Sequence, residues 1–314
     1  MGINSFYASV VSPFLRKTNF GERLDMALIA FNANLQFACF MYADSGSKIF
    51  SDSEIDVLFE DLDPESRETA KRFMHRQYKA PHNALMIHPK YFYSDAEKTE
   101  HNKVLKDFNK AIKHFRLPRH LTGPESLYYH HGLRFAPDFV KSNIAGKLFG
   151  DVGGWLGDST LVFAGYAPEK TIIFEPDSSS RNKLEKILKR NRISKDKYDL
   201  HPFALADTHT ISNGFECRTL DEVSAAYATP FGVLKADVEG MGAAFLRGAR
   251  KTIERDRPLL SLAIYHNEDE FAGIYQTLKS WHLDYHFEIK SLNPFAAHGE
   301  IILLAYPAEW AQLQ

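Results

Sequence analysis

The sequence predicts an α/β protein: a Rossmann-like domain with a mostly parallel seven-stranded sheet and an antiparallel edge hairpin, preceded by a mainly helical N-terminal region. Three observations carry this expectation. From Lys147 onward, short apolar runs alternate with helical segments, the pattern of β/α units around a parallel sheet. The first of these runs leads directly into a glycine-bearing loop and a helix start, where such folds bring backbone close to a ligand. Upstream of Leu121, apolar residues recur at helical spacing. Residues 1–124 are therefore assigned to the helical region and 125–314 to the sheet domain. A chain of 314 residues is long enough for one large domain or two modest ones.

In chain order, Asp25 is placed to cap a helix carrying Leu28, Phe31, Leu35 and Cys39. The stretch 26–42 is fairly apolar, but Asn32, Asn34 and Gln36 interrupt it. Three amides in hydrocarbon would be costly, so a buried helix is expected there and not a membrane span. A second helical pattern starts near Ser51, opened by Ser53 and Glu54, with Ile55, Leu58 and Phe59 recurring at helical spacing. A third begins at Pro64-Glu65-Ser66 and runs towards Tyr78, and a fourth over 101–115 aligns Val104, Leu105, Phe108, Ile112 and Phe115. Pro118, Gly123, Pro124 and Gly132 punctuate the next stretch, which holds Tyr128-Tyr129-His130-His131.

The expected strands are 148–152, 171–174, 200–205, 232–236, 259–265, 285–289 and 301–306. The last two leave no room for a helix between them, so they pair as the edge hairpin. After the second strand, Asp177 can cap a helix that turns Leu184, Ile187 and Leu188 inward. After the fourth, one helix is expected from Met241 to about Arg257, stopped by Pro258.

Composition narrows the function classes. Hydrophobic residues make up 44% and charged residues 25%, which supports a packed core and argues against disorder. A net charge of -2 supplies no basic field, so nucleic acid is not an expected partner; the basic run 183–192 reads as a solvated helix face. Cys39 and Cys217 lie far apart and form neither a disulfide framework nor metal-ligand spacing. The N-terminus has no signal-peptide pattern, and a reducing, cytoplasmic setting is expected.

The chemistry concentrates at strand ends. The first strand runs into Asp151-Val152-Gly153-Gly154-Trp155-Leu156-Gly157-Asp158-Ser159. This is not the G-x-G-x-x-G spacing of dinucleotide enzymes. Asp151, two positions before the first glycine, is also a poor neighbour for a pyrophosphate. It suits a ligand whose near end bears an ammonium group, as the methionine part of S-adenosylmethionine does. Gly153, Gly154, Gly157 and Ser159 are the loop's other cofactor-binding candidates; a tight turn between strand and helix is the plainer alternative. Glu175 ends the second strand, 24 residues after Asp151, where a carboxylate can accept from both hydroxyls of a ribose. Asp207 follows the third strand near the expected adenine rim and could accept from the exocyclic amine, or be an ordinary loop carboxylate. The fourth strand ends in Asp237-Val238-Glu239-Gly240, and the fifth delivers Tyr265-His266-Asn267 to the same edge. Asp151, Glu175, Asp237, Glu239 and His266 are thus expected on one rim.

These strings resemble the FkbM family of S-adenosylmethionine-dependent methyltransferases. The matching stretches are 151–159, 174–176, 219–221 and 234–240, continuing through 246–249 and 257–258 to 264–266, with 128–133 similar to the lead-in of some bacterial members. The resemblance spans roughly 125–306 and keeps family order. It implies a Rossmann-like methyltransferase fold, S-adenosylmethionine as cofactor, and O-methylation of a hydroxyl on a sugar, glycan or other small metabolite. His266 becomes the first candidate for the base, because an imidazole titrates near working pH; a structural histidine at a strand end is the alternative. Asp237 could orient the acceptor or the cofactor's ammonium. With Glu239 it could also hold Mg²⁺, although no metal is expected. His130 and His131 are candidate substrate contacts that roof the site or simply pack on the sheet. The family usually carries an acidic residue two positions after the glycine of this motif; this chain has Gly242 there. The alternatives are a non-catalytic S-adenosylmethionine-binding scaffold and, behind it, an NAD-dependent oxidoreductase. A homo-oligomer is compatible with all of these.

Overall fold

The computed structural model describes residues 24, 42, 45–79, 93–118, 121–212, 214–292 and 300–312. The helix expected over 26–42, with Asp25 as its cap, lies outside the described residues except at Tyr42. Helix α1 (Asp52–Leu58) starts where the Ser51 side chain accepts from the Glu54 N–H and Glu54 returns to the Ser51 N–H. The cap is therefore Ser51, where the pattern is expected to start. Helix α2 spans Pro64–Lys79. Helix α3 (Asp95–Ala111) begins six residues before the expected 101, because Ser94 and Glu97 form the same reciprocal cap.

The main sheet has the order β3-β2-β1-β7-β8-β10-β9. Its strands are β1 (Leu148–Val152), β2 (Lys170–Phe174), β3 (Tyr198–His201), β7 (Phe231–Ala236), β8 (Leu259–Ala263), β9 (Tyr285–Ser291) and β10 (Ile301–Pro307). Neighbours from β3 to β8 pair parallel, while β10 runs antiparallel to both β8 and β9. Chain order reverses at β1, which has β2 on one side and β7 on the other. In open α/β sheets, this reversal is where ligands bind.

Two expectations are corrected. The run 200–205 is not one strand: β3 ends at His201, and β4 (Ala204–Leu205) joins a separate sheet with β5 (Thr210–Ser212) and β6 (Phe215–Arg218). Pro202 has no N–H to extend the β3 ladder. The helix expected over 241–257 is two helices, α6 (Gly242–Gly248) and α7 (Arg250–Asp256), separated at Ala249 with φ -108° and ψ 2°. Gly248 is pressed so tightly onto the segment after β4 that a Cβ there would lie 1.9 Å from the Ala206 carbonyl oxygen.

Side chains alternate between the two faces of the sheet. Along β10, Ile301, Leu303 and Ala305 enter one core, and Ile302, Leu304 and Tyr306 enter the other. The first core also takes Tyr42, Ile55, Phe59, Phe73 and Met74; the second takes Val104, Phe108 and Ile112. The N-terminal helices therefore share both cores with the sheet. The Ile289 N–H donates to Ser66 Oγ at 2.9 Å and ties α2 to β9. Among the described residues, no helix is long and apolar enough to cross a membrane.

Candidate active site

The carboxyl ends of β1, β2, β7 and β8 open on a cavity of about 610 Å³. That lies within the ~300–1,000 Å³ of small-molecule sites. Strand register builds its floor by setting Asp151 beside Lys235 on adjacent strands. Lys235 Nζ lies 3.2 Å from Asp151 and donates to the Gly153 carbonyl at 2.9 Å. Burial pulls the Lys235 ammonium down, but the charges of Asp151, Asp237 and Asp158 outweigh it and hold its pKa above the ordinary value.

The loop after β1 must be bare at its first glycine. Gly153 has φ +84°, and a Cβ there would meet the Asp237 carbonyl oxygen at 2.1 Å. Gly153 and Gly154 both donate to the Phe174 carbonyl, at 3.0 and 3.2 Å, so the loop is stitched to the end of β2. Glu175 stands there, nearly buried. One of its oxygens accepts from the Trp155 N–H and the other from the Asp177 N–H, each at 2.8 Å. Asp177 itself caps helix α5 (Ser178–Arg190), whose buried side is Leu184, Ile187 and Leu188, as its sequence predicts.

On the opposite side, Asp237 and His266 come together from adjacent strands. His266 Nε2 is 3.4 Å from Asp237 Oδ1, and the Tyr265 hydroxyl donates to Asp237 Oδ1 and Oδ2 at 3.1 and 3.2 Å. The other ring nitrogen, Nδ1, is 2.6 Å from Glu270, a fully buried acid that the sequence analysis does not single out. Burial lowers the His266 pKa, yet its hydrogen bond to Glu270 and the charges of Asp237, Glu270 and Glu239 outweigh burial and raise it above the ordinary value. Burial drives the Tyr265 hydroxyl well above its usual range, helped by Asp237, so it remains a donor.

Of the expected site residues, Gly153, Ser159, Glu175, Asp237, Glu239, His266 and His131 line the cavity. His131 is buried, with Nε2 3.0 Å from Ser159 Oγ at the start of helix α4 (Asp158–Phe163); burial and the Lys235 charge keep its pKa well below the ordinary value. The other expected residues do not form the wall. Asp151 is turned to Lys235 and Thr160. Gly154 and Gly157 pack against Ile173, Leu184 and Leu188. His130 pairs with the Tyr166 hydroxyl at 2.7 Å. Asp207 faces α6, where Arg247 holds it with bonds of 3.0 and 2.8 Å.

The wall also contains Glu125, Trp155, Asp158, Lys235, Tyr265 and Glu300. A lysine inside a buried strand, Phe231–Ala236, is a readable signal of a paired charge; Glu125 carries no such signal in its own neighbourhood. His131, Trp155, Glu239 and Glu300 have φ of +49°, +39°, +49° and +60°, and all four line the cavity. Left-handed backbone at non-glycine residues is strained and gathers at functional sites. Among the described residues, no group of three or more His, Cys, Asp or Glu is arranged to hold a metal ion.

Residues 151–289 match the family described as methyltransferase FkbM domain. A crystal structure of a methyltransferase FkbM from Methylobacillus flagellatus KT shares the fold, with a TM-score of 0.56 and 18% identity over 80% of this chain and 58% of that one. This chain thus spans somewhat over half the length of that relative. An rRNA methylase from Streptococcus thermophilus aligns at 14% identity and TM-score 0.42, over 60% of this chain and 97% of its own. An O-methyltransferase from Bacillus cereus in complex with SAH aligns at 13% and 0.44, over 68% and 92%. Likenesses as loose as these last two carry no argument about activity. No curated protein matches the chain in sequence.

Proposed function

We propose that this chain, whose residues 151–289 match the FkbM methyltransferase domain family, transfers a methyl group from S-adenosylmethionine to a hydroxyl oxygen of a sugar, glycan or other small acceptor. The observation that carries this reading is the division of one cavity. Gly153 and Glu175 stand at the ends of β1 and β2, and Asp237 and His266 at the ends of β7 and β8. Each Glu175 oxygen takes one backbone N–H and keeps a second acceptor site, which suits a ribose diol. Burial raises the pKa of Glu125 and Asp158; beyond them, the wall sets Glu175, Asp237, Glu239 and Glu300 against Lys235, the one lysine or arginine among its described residues. That balance favours a ligand with net positive charge over the pyrophosphate of NAD.

S-adenosylmethionine supplies a methyl group on a sulfonium, which an acceptor oxygen displaces in line. The chain's residues bind, orient and move a proton. The Tyr265 hydroxyl holds both oxygens of Asp237, so Asp237 presents a fixed acceptor to the incoming hydroxyl. His266 Nε2, beside it, takes the hydroxyl proton, while the oxygen keeps its electron pair for the new bond. A cytoplasmic setting goes with this proposal.

The test couples acceptor discovery to two variants. The pure protein is incubated with S-adenosylmethionine and a metabolite extract, and products heavier by one methylene are sought by mass spectrometry. On the acceptor so found, His266→Ala should lose at least about 10²-fold in turnover, the lower contribution of a general base. The loss should shrink at high pH, where the hydroxyl needs less help. Asp237→Asn should also lose turnover more than cofactor affinity; His266→Ala leaves the buried Glu270 carboxylate short of a partner and should melt lower, so turnover is compared well below that melting temperature. Near-normal turnover in both would remove these residues from the mechanism.

A further inference from the structure

We propose that Glu270 is the positioning residue of this site: its carboxylate fixes the His266 imidazole with Nδ1 turned away and Nε2 facing Asp237 and the cavity. The inference rests on the reading of His266 as the base and names the residue that makes it one.

Glu270 is 0% exposed, and a carboxylate is expensive to bury unless its oxygens are paired. Both are paired here, and to different elements. One oxygen meets His266 Nδ1 at 2.6 Å, and the other accepts from the Gly242 N–H at the start of α6 at 2.9 Å. The carboxylate fits only because residue 242 has no side chain; a Cβ there would lie 2.8 Å from Glu270 Oε1 and 3.3 Å from Ile274. The backbone of Glu270 is fixed as well. Its N–H donates to Asn267 Oδ1 at 2.9 Å, and it sits in a wide π turn, Asp269–Gly273, a geometry frequent at functional sites. The next residue, Phe271, is packed among the rings of Tyr42, Phe50, Phe59 and Phe73 at 5.5–5.9 Å. The N-terminal helices thus brace the turn that carries Glu270.

The chemical consequence is a fixed tautomer. With the Nδ1 proton donated to Glu270, the lone pair lies on Nε2, the nitrogen that faces the cavity. When an acceptor hydroxyl gives its proton to Nε2, the resulting imidazolium remains bonded to Glu270, and the acceptor oxygen keeps the electron pair. The charged and titratable groups facing this ring are Glu270, Asp237, Glu239 and the Tyr265 hydroxyl, whose ring centroid lies 4.0 Å from that of His266.

The experiment is a pH titration of His266 by NMR in the full chain with ¹⁵N-labelled histidine, which needs neither acceptor nor turnover. In the unaltered protein, neutral His266 should keep its proton on Nδ1; a proton on Nε2 overturns the proposal, and this measurement does not depend on any variant folding. In Glu270→Gln, His266 should titrate about 1–3 pH units lower, and the acid limb of kcat/KM should move down with it. Glu268→Gln, two residues away on an acid that meets the Lys48 N–H, should move neither. An unchanged His266 titration in a folded Glu270→Gln protein also overturns the proposal. Full turnover in His266→Ala would instead sink the reading of His266 as base, whatever the titration shows.

Discussion

Glu125 stands at the cavity wall with a carboxyl that burial, aided by the charges of Asp158 and Asp237, pushes up to about 8 from its ordinary 4.5. A carboxyl whose folded pKa is raised holds its proton longer in the folded chain than in the unfolded one. Its stabilising share is therefore complete below about 4.5 and is lost as pH rises through about 8. Glu125→Gln should raise the melting temperature of the unliganded protein at pH 9 and leave it unchanged at pH 4, where both side chains are neutral. Equal shifts at the two pH values would mean a packing effect and no charge effect. His266 follows the same sign: its raised pKa contributes stability below about 6.5 that fades as pH climbs through the higher folded value. The contrast between these residues shows what is legible in a sequence. Asp237, Glu175 and His266 could be found because each directly follows an apolar run, and strand ends in such sheets share one edge. Glu125 and Glu270 could not, because the former meets charges over 30 residues away and the latter owes its space to Gly242.

The loop after β1 depends on one bare backbone position. Gly153→Ala should destabilise the protein by at least about 1–3 kcal/mol from the left-handed φ alone, and more from the clash with the Asp237 carbonyl at 2.1 Å. Because that clash moves Asp237, affinity for S-adenosylmethionine should fall too. Gly165→Ala, where nothing lies within 4 Å, is the matched control and should be near neutral in urea unfolding. Wild-type stability in Gly153→Ala would contradict the close approach of β1 and β7. At this scale, local signals read well: the Asp177 cap and the Leu184, Ile187 and Leu188 stripe of α5 are as the sequence implies. Tertiary contacts did not. The break between α6 and α7 comes at Gly248 and Ala249, where Ala206 presses from a distant loop, and that contact has no signature within 241–257.

Across the whole molecule, the N-terminal helices and the sheet share their cores. Ile55, Phe59, Phe73, Met74, Val104, Phe108 and Ile112 are buried against the sheet's two faces. Burial at about 1.5–3 kcal/mol for each side chain gives a sum comparable with the 5–15 kcal/mol net stability of a domain. A 125–314 fragment should therefore fail to fold cooperatively, and a soluble fragment with unaltered activity and acceptor choice would refute that shared core. The boundary near 124, drawn from texture in the sequence, falls ahead of further helices at Pro124–Leu127 and Asp138–Ile144, and the sheet begins only at Leu148. What the cavity between β1, β2, β7 and β8 holds is read out by isothermal titration calorimetry on the full chain. S-adenosylmethionine and S-adenosylhomocysteine should each bind at one site per chain, and NAD should give no heat; binding of NAD with no response to either sulfur compound would contradict the account.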